Sequence, residues 1–317
     1  MADLILHHYA TSPFSEKVRL IFGYKKLAWK SVIVPQIMPK PDVLALTGGY
    51  RKTPFLQVGS DIYCDTALIC DVLEHLAPSP TLYPEKHKGM ARVLAQWADE
   101  KLFWAAMAYN FSPAGAAQMF GGAPPETARA FADDRSKMRL GMPRMPLGDA
   151  TAAYKSYLRR ITNMLDGQDF LLGSAPCVAD FATYHPLWFT RTRTSVMAPI
   201  LDATPGVLAW MDRMAAIGEG RSEKMSATDA IAHCARSASA SSGFSSILPA
   251  GPFQDEHGIA LGTKVTIASE SFGPEPTQGT LVAATRMHYT LCRTDERAGT
   301  VHVHFPRIGY ILRKAEK

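Results

Sequence analysis

Cysteine is sparse and unclustered in this chain. Cys64, Cys70, Cys177, Cys234 and Cys292 are odd in number and scattered, with no Cys-x-x-Cys pair and no Cys/His ligand spacing. That excludes a disulfide scaffold and a zinc site of recognisable spacing, and it fits a reducing compartment. Long hydrophobic runs are missing as well. The opening MADLILHHYATSP breaks its short apolar stretch with two histidines, which is too polar for a signal peptide. No later stretch reaches the roughly 20 apolar residues of a membrane helix. A cytoplasmic protein without a membrane partner is the expectation. Nor is charge of one sign in large excess: 34 Lys and Arg against 29 Asp and Glu leave +5, spread along the chain. This balance gives nucleic-acid binding no support and fits attraction of a small anion better.

What is present is ordinary globular material: 317 residues, 47% hydrophobic and 20% charged, enough for two or three domains. Three regions differ in period. Residues 1–76 alternate strand and helix signals. Residues 4–7 read as a short buried strand, Pro13 starts a helix with Val18, Ile21 and Phe22 on one face, and 29–34 is a second strand ended by Pro35. Residues 55–58 and 61–63 form a strand pair around the hairpin signal Gly59-Ser60, and Asp65 caps a helix through Leu68, Ile69, Val72 and Leu73. The order is β-α-β-α-β-β-α. Residues 86–232 are helical in period. Met90, Val93, Leu94, Trp97 and Leu102, then Tyr154, Leu158, Ile161 and Leu165, recur at three- and four-residue spacing. A linker rich in Ala, Ser, Gly and Pro occupies 233–257, and beyond it, over 258–317, the period falls to two. Strands are expected there near 264–267, 280–283, 288–291, 301–305 and 310–312, forming a small β-barrel-like module.

Chemistry gathers at the first strand-helix turn. Thr11-Ser12-Pro13-Phe14-Ser15 places a serine just before a helix that begins with proline. Backbone N–H groups at a helix N-terminus lack intrahelical partners and carry partial positive charge, so a partly buried anion there gains roughly 1–2 kcal/mol. A hydroxyl in that place can donate to a thiolate, and each pKa unit lowered corresponds to about 1.4 kcal/mol. On its own Ser12 reads as an N-cap, since serine before proline is common at a helix start. Its company changes the reading. Thr53-Pro54 sets an X-Pro bond, of the kind that can be cis, just before a strand, where the Thr53 backbone is offered to an extended peptide. Asp65-Thr66 opens a helix whose N–H groups and hydroxyl suit a carboxylate, while Asp65 suits an ammonium. Together the three sites fit a short peptide carrying a thiol and a free amino-acid end.

Ser-Pro-Phe-Ser-x-Lys-Val-Arg (12–19), Lys-Thr-Pro-Phe-Leu (52–56) and Asp-Thr-Ala-Leu-Ile (65–69) resemble the N-terminal domain of cytosolic glutathione transferases. Pro176-Cys177-Val178-Ala179-Asp180 is similar to a helix start in that family's second domain. The family usually has Val-Pro and Glu-Ser where this chain has Thr53-Pro54 and Asp65-Thr66. It has a hydroxyl residue where this chain has Cys177, which leaves Asp180 most of the capping. The resemblance covers about residues 1–230. It implies an α/β thioredoxin-like domain over 1–76 followed by an all-α helical domain over 86–232, with the small all-β C-terminal module at 258–317 outside it.

The resemblance also implies a serine-type glutathione transferase that works in detoxification. Ser12 is then the catalytic thiolate stabiliser, with Tyr9 as a rival for that role. Lys40, Lys52, Thr53, Pro54, Asp65 and Thr66 hold glutathione, the co-substrate. Phe14, Trp104 and Tyr109 line the pocket for a hydrophobic electrophile, no metal is used, and the protein is a homodimer. Serine at 12 and 15, where disulfide-cycling relatives carry cysteine, favours transfer or peroxide reduction through glutathione itself. The alternative is a non-catalytic binder of glutathione or a hydrophobic ligand, or an interaction scaffold using the β module. A glutathione-dependent dehalogenase or isomerase is a third reading. His302 and His304 share a strand face but lack a third ligand, and are read as surface histidines.

Overall fold

The structure, a computed structural model, describes residues 3–139, 141–240, 247–249 and 251–316. Its first elements are β1 (Ile5–His8), α1 (Pro13–Tyr24), β2 (Ala28–Ile33), α2 (Pro41–Thr47), β3 (Phe55–Val58), β4 (Asp61–Cys64) and α3 (Thr66–Leu76). β1 pairs parallel with β2 and antiparallel with β3, and β3 pairs antiparallel with β4. Pro13 begins α1, where its missing N–H costs nothing. Gly59, at φ +62, turns the β3–β4 hairpin. This is a thioredoxin-like domain. The register puts His7 opposite Phe55 and Phe55 opposite Cys64. The C-terminal ends of β1 and β4 therefore share one end of the sheet with the N-terminal end of β3.

A helical domain follows: α4 (Lys88–Trp97), α5 (Phe103–Asn110), α6 (Pro113–Phe120), α7 (Pro125–Met138), α8 (Leu147–Met164), α9 (Val178–Trp188) and α10 (Pro205–Ala215). α9 is buried along most of its length and packs on α1 and α4, which joins the two domains in one core. Asp180 holds its start: the carboxylate accepts the N–H groups of Cys177 (2.9 Å) and Leu171 (2.9 Å) and the indole N–H of Trp210 (3.0 Å). The apolar series of α8 is buried as its spacing predicts. α4 differs. Met90 and Val93 are exposed, and the small residues Ala91, Ala95 and Ala98 face the core instead, because close helix packing favours them.

The end of the chain departs most from its sequence reading. The strands β5 (Arg221–Lys224), β6 (Lys264–Ser269), β7 (Thr277–Ala284), β8 (His288–Asp295), β9 (Gly299–Pro306) and β10 (Tyr310–Lys314) follow, with α11 (Ala227–Ala240) between β5 and β6. β5 lies inside the stretch expected to be helical; its exposed Arg-Ser-Glu-Lys carries no strand pattern, and it forms by pairing its backbone with the edge of β2. α11 runs across the expected helix-linker boundary at 232/233. Of that linker, residues 241–246 and 250 lie outside the described residues.

The five expected C-terminal strands are present, but they do not make a separate barrel. β9 pairs parallel with β4, so that among the described residues one ten-stranded sheet runs β10-β6-β7-β8-β9-β4-β3-β1-β2-β5. An open β4 edge would leave unpaired backbone groups, and β9 supplies their partners. The sheet curls enough to bring Tyr310 of β10 against Phe305 of β9, with ring centroids 5.5 Å apart. A second core joins Val34, Val43, Leu46, Phe55 and Ile62 of the first domain to Val265, Leu281, Leu291, Val303 and Phe305. His304 departs from its expected place for the same reason. Expected at the surface, it is fully buried because β9 is an interior strand; its ring bonds Asp61 (2.7 Å) and Thr290 (2.9 Å).

Candidate active site

Three segments converge at the sheet end fixed by the β1–β3–β4 register. Ser12 is the N-cap of α1, 2% exposed, and its Oγ accepts the Ser15 N–H at 3.2 Å. Thr53 and Pro54, joined by a cis bond, enter β3, and the buried Thr53 Oγ1 has no hydrogen-bond partner among the described residues. Asp65 leaves β4 with φ +77 and caps α3, its Oδ1 accepting the Ala67 N–H at 2.9 Å.

Thr66, beside it, is tied inward. The Nζ of the fully buried Lys17 donates to Thr66 Oγ1 (3.1 Å) and to Asp99 Oδ2 (2.6 Å), and Asp99 Oδ1 meets His185 Nε2 (2.9 Å). Burial opposes the Lys17 charge, but Asp99, Cys70 and Asp65 outweigh it and hold the ammonium protonated above its ordinary range. Burial likewise opposes the Asp99 carboxylate, and Lys17 and His185 bring its pKa below the usual value. This buried network pins the first turns of α1 and α3 to the helical domain.

The two expected lysines find different partners. Lys40 is buried, with its Nζ on the Arg51 carbonyl (3.2 Å), and burial and the nearby Arg135 bring its pKa down to about 8. Lys52 donates to Ser269 Oγ (3.1 Å), and burial, opposed by Asp65, lowers its pKa. Arg51 itself pairs with Asp134 of α7 and with Glu275. Tyr9, the rival of Ser12, receives an Arg135 N–H at 3.4 Å and packs against the second core.

On the helical side an aromatic series runs from Phe14 to Phe103 (4.7 Å between centroids), from Phe103 to Trp104 (5.0 Å) and from Trp104 to Phe272 (5.1 Å). Tyr109, expected in the same pocket, is not brought to this series. Its hydroxyl donates to the Met197 carbonyl (3.2 Å) and its ring packs on Tyr154 (5.7 Å). Five residues along a helix turn a side chain through well over a right angle from Trp104, which is why the two diverge.

The chain matches two family models: the glutathione S-transferase N-terminal domain over residues 6–81 and the C-terminal domain over 95–213. Among solved structures it is similar to a GST-like protein from Pseudomonas syringae, with 40% identity and a TM-score of 0.81 over 99% of this chain and 100% of that one. The chain belongs to the glutathione S-transferase family. The likeness to the Pseudomonas syringae protein also includes the C-terminal strands, which neither family model reaches. Beta-etherase LigF from Sphingobium sp. strain SYK-6 shares the transferase fold at 19% identity and a TM-score of 0.53, covering 67% of this chain and 95% of that one. A glutathione transferase from Phanerochaete chrysosporium does so at 18% and 0.55, covering 68% and 98%. No curated protein matched.

Several residues at this site were missed in the sequence. Tyr310 donates its hydroxyl to Asp65 Oδ2 (3.0 Å), and the Tyr50 hydroxyl receives the Asp65 N–H (3.1 Å). Ser269, Phe272, Glu275 and Tyr310 all come from the C-terminal strands or the turn between β6 and β7. Tyr50, one residue before the Arg-Lys-Thr-Pro run, had a local signal; the others had none.

Proposed function

We propose that the protein binds glutathione with its sulfur at Ser12 and transfers that sulfur to a hydrophobic electrophile or uses it to reduce a hydroperoxide. The observation that carries this reading is the arrival of Ser12, Thr53-Pro54 and Asp65-Thr66 at one end of the sheet, beyond the C-terminal ends of two strands. The Ser12 Oγ accepts one backbone N–H and keeps its own proton to donate to a thiolate, while the α1 N-terminus adds its partial positive charge. Thr53 offers backbone groups and an unpartnered hydroxyl to the cysteinyl part, and Pro54 fixes their presentation. Asp65 and Thr66 take the γ-glutamyl end, and Lys40 and Lys52 supply cations for the glycyl carboxylate. In conjugation the sulfur lone pair forms the new bond to carbon, and the leaving group departs with its bonding electrons. Phe14, Phe103 and Trp104 give the electrophile an apolar wall. A homodimer is part of the proposal, with the exposed Met90 and Val93 of α4 as the face for a second copy; light scattering measures it.

One observation favours the second reading, a binder or scaffold without turnover. Asp65, Thr66 and Lys52 already have partners inside the protein. A panel of aryl halides, hydroperoxides and activated alkenes with glutathione separates the two. Turnover of any of them well above the buffer rate is the expected result, and glutathione binding with no turnover across the panel would support the scaffold.

A further inference from the structure

Asp65 is held from three directions. Its Oδ1 caps α3 through the Ala67 N–H, its own N–H goes to the Tyr50 hydroxyl, and its Oδ2 receives the Tyr310 hydroxyl across a sequence separation of 245 residues. Its backbone, at φ +77, is one that few non-glycine residues adopt, so the carboxylate keeps its aim only while the surroundings fix it. Tyr310 is buried, and burial and the Asp65 charge push its phenol well above its ordinary range, leaving it a neutral donor. A carboxylate has about four acceptor positions. The two donors named here take one on each oxygen and leave room for an ammonium.

The rest of the C-terminal region continues the same contact. The Lys52 ammonium lies 4.9 Å from the Tyr310 ring and 5.4 Å from that of Tyr50. The turn between β6 and β7 then crosses to the helical domain, where Phe272 meets Trp104 and the Gly273 N–H reaches the Met138 carbonyl at 2.8 Å. A Cβ on Gly273, which sits at φ +69, would stand 3.0 Å from Lys52 and 3.1 Å from Met138, so the turn lies close upon both.

We propose that the C-terminal strands are part of the glutathione site itself, with Tyr310 as the positioning residue that aims Asp65 at the ammonium of glutathione. This rests on the glutathione reading above. The test is titration calorimetry on the full chain with glutathione and with its analogue lacking the γ-glutamyl amine. Tyr310→Phe removes one oxygen and leaves the ring packed on Phe305.

The expected result is an increase of about tenfold in the Kd for glutathione, because a carboxylate no longer aimed forfeits its charge-assisted hydrogen bond to the ammonium. The analogue should bind wild type and variant alike, which a general loss of folding would not produce. In an Asp65→Asn background Tyr310→Phe should have no further effect, because its influence passes through that carboxylate. Turnover at saturating glutathione should stay within about twofold. An unchanged or lowered Kd in Tyr310→Phe overturns the proposal, a lowered one marking Tyr310 as a plug in the ammonium seat. Full additivity with Asp65→Asn also overturns it. If wild type binds glutathione while Tyr310→Phe is indistinguishable from it, only this proposal falls; if wild type does not bind glutathione, the functional reading falls with it.

Discussion

At the first turn of α1 the Ser12 hydroxyl accepts a backbone N–H and sits almost out of solvent, so a single group serves both the helix and the proposed thiolate. The two roles separate by magnitude. As an N-cap the hydroxyl contributes about 1 kcal/mol of stability. As a donor to a developing or resident anion it contributes more to rate, since losing one such donor commonly costs about 10²-fold or more. Ser12→Ala is therefore predicted to lower kcat/KM for conjugation about a hundredfold while the melting temperature falls by only a few degrees, checked by steady-state kinetics and calorimetry on the same sample. A large loss of stability with little change in kcat/KM would return Ser12 to a cap. Ser12, Thr53, Pro54, Asp65 and Thr66 were legible because each lies in a short local motif at a helix or strand start. Tyr310 and Ser269 were not, since their meaning comes from partners more than two hundred residues away.

Part of the chain's response to acid lies in the strands. His7 and His8 of β1 and His288 of β8 are buried, and burial pushes each pKa down to about 4. His7 bonds Gln57 at 2.8 Å and His8 bonds Ser31 at 2.8 Å, both as neutral rings. An unfolded histidine takes up its proton near pH 6.5, whereas these folded ones do so only near 4, so the unfolded state binds more protons in between. The contribution of these histidines to stability is fully present above about pH 6.5 and is lost as the pH falls toward 4. Melting curves between those values should shift down by roughly 5 °C or more; a flat profile would show that the histidines titrate alike in both states. Most elements were legible by period, the β-α-β-α-β-β-α order and the five C-terminal strands among them. β5 was not, because a strand that lends only its backbone to an edge needs no apolar alternation. The exposed Met90 and Val93 show the converse, an apolar spacing that serves no internal core.

For the molecule as a whole, the shared sheet binds the C-terminal strands to the first domain. Val265, Leu281, Leu291, Val303 and Phe305 pack in one core with Phe55 and Ile62, and β9 completes the edge of β4. Buried side chains of this kind contribute about 1.5–3 kcal/mol each. Removing all five C-terminal ones costs about as much as the roughly 5–15 kcal/mol that holds a typical fold. A chain ending at residue 257 is predicted to be insoluble or to lack a cooperative melting transition. A truncated chain that melts like wild type would contradict the shared core. Period-two patterning announced the strands, yet it said nothing of which edge they would join, because pairing partners are set by open edges elsewhere in the fold. The ultraviolet thiolate absorbance of bound glutathione, titrated with pH in wild type and in Ser12→Ala, reads the thiolate at Ser12 without intermediaries. The bound thiol should ionise near neutral pH in wild type and only near its free-solution pKa in the variant. Identical titration curves for the two proteins would contradict that role of Ser12.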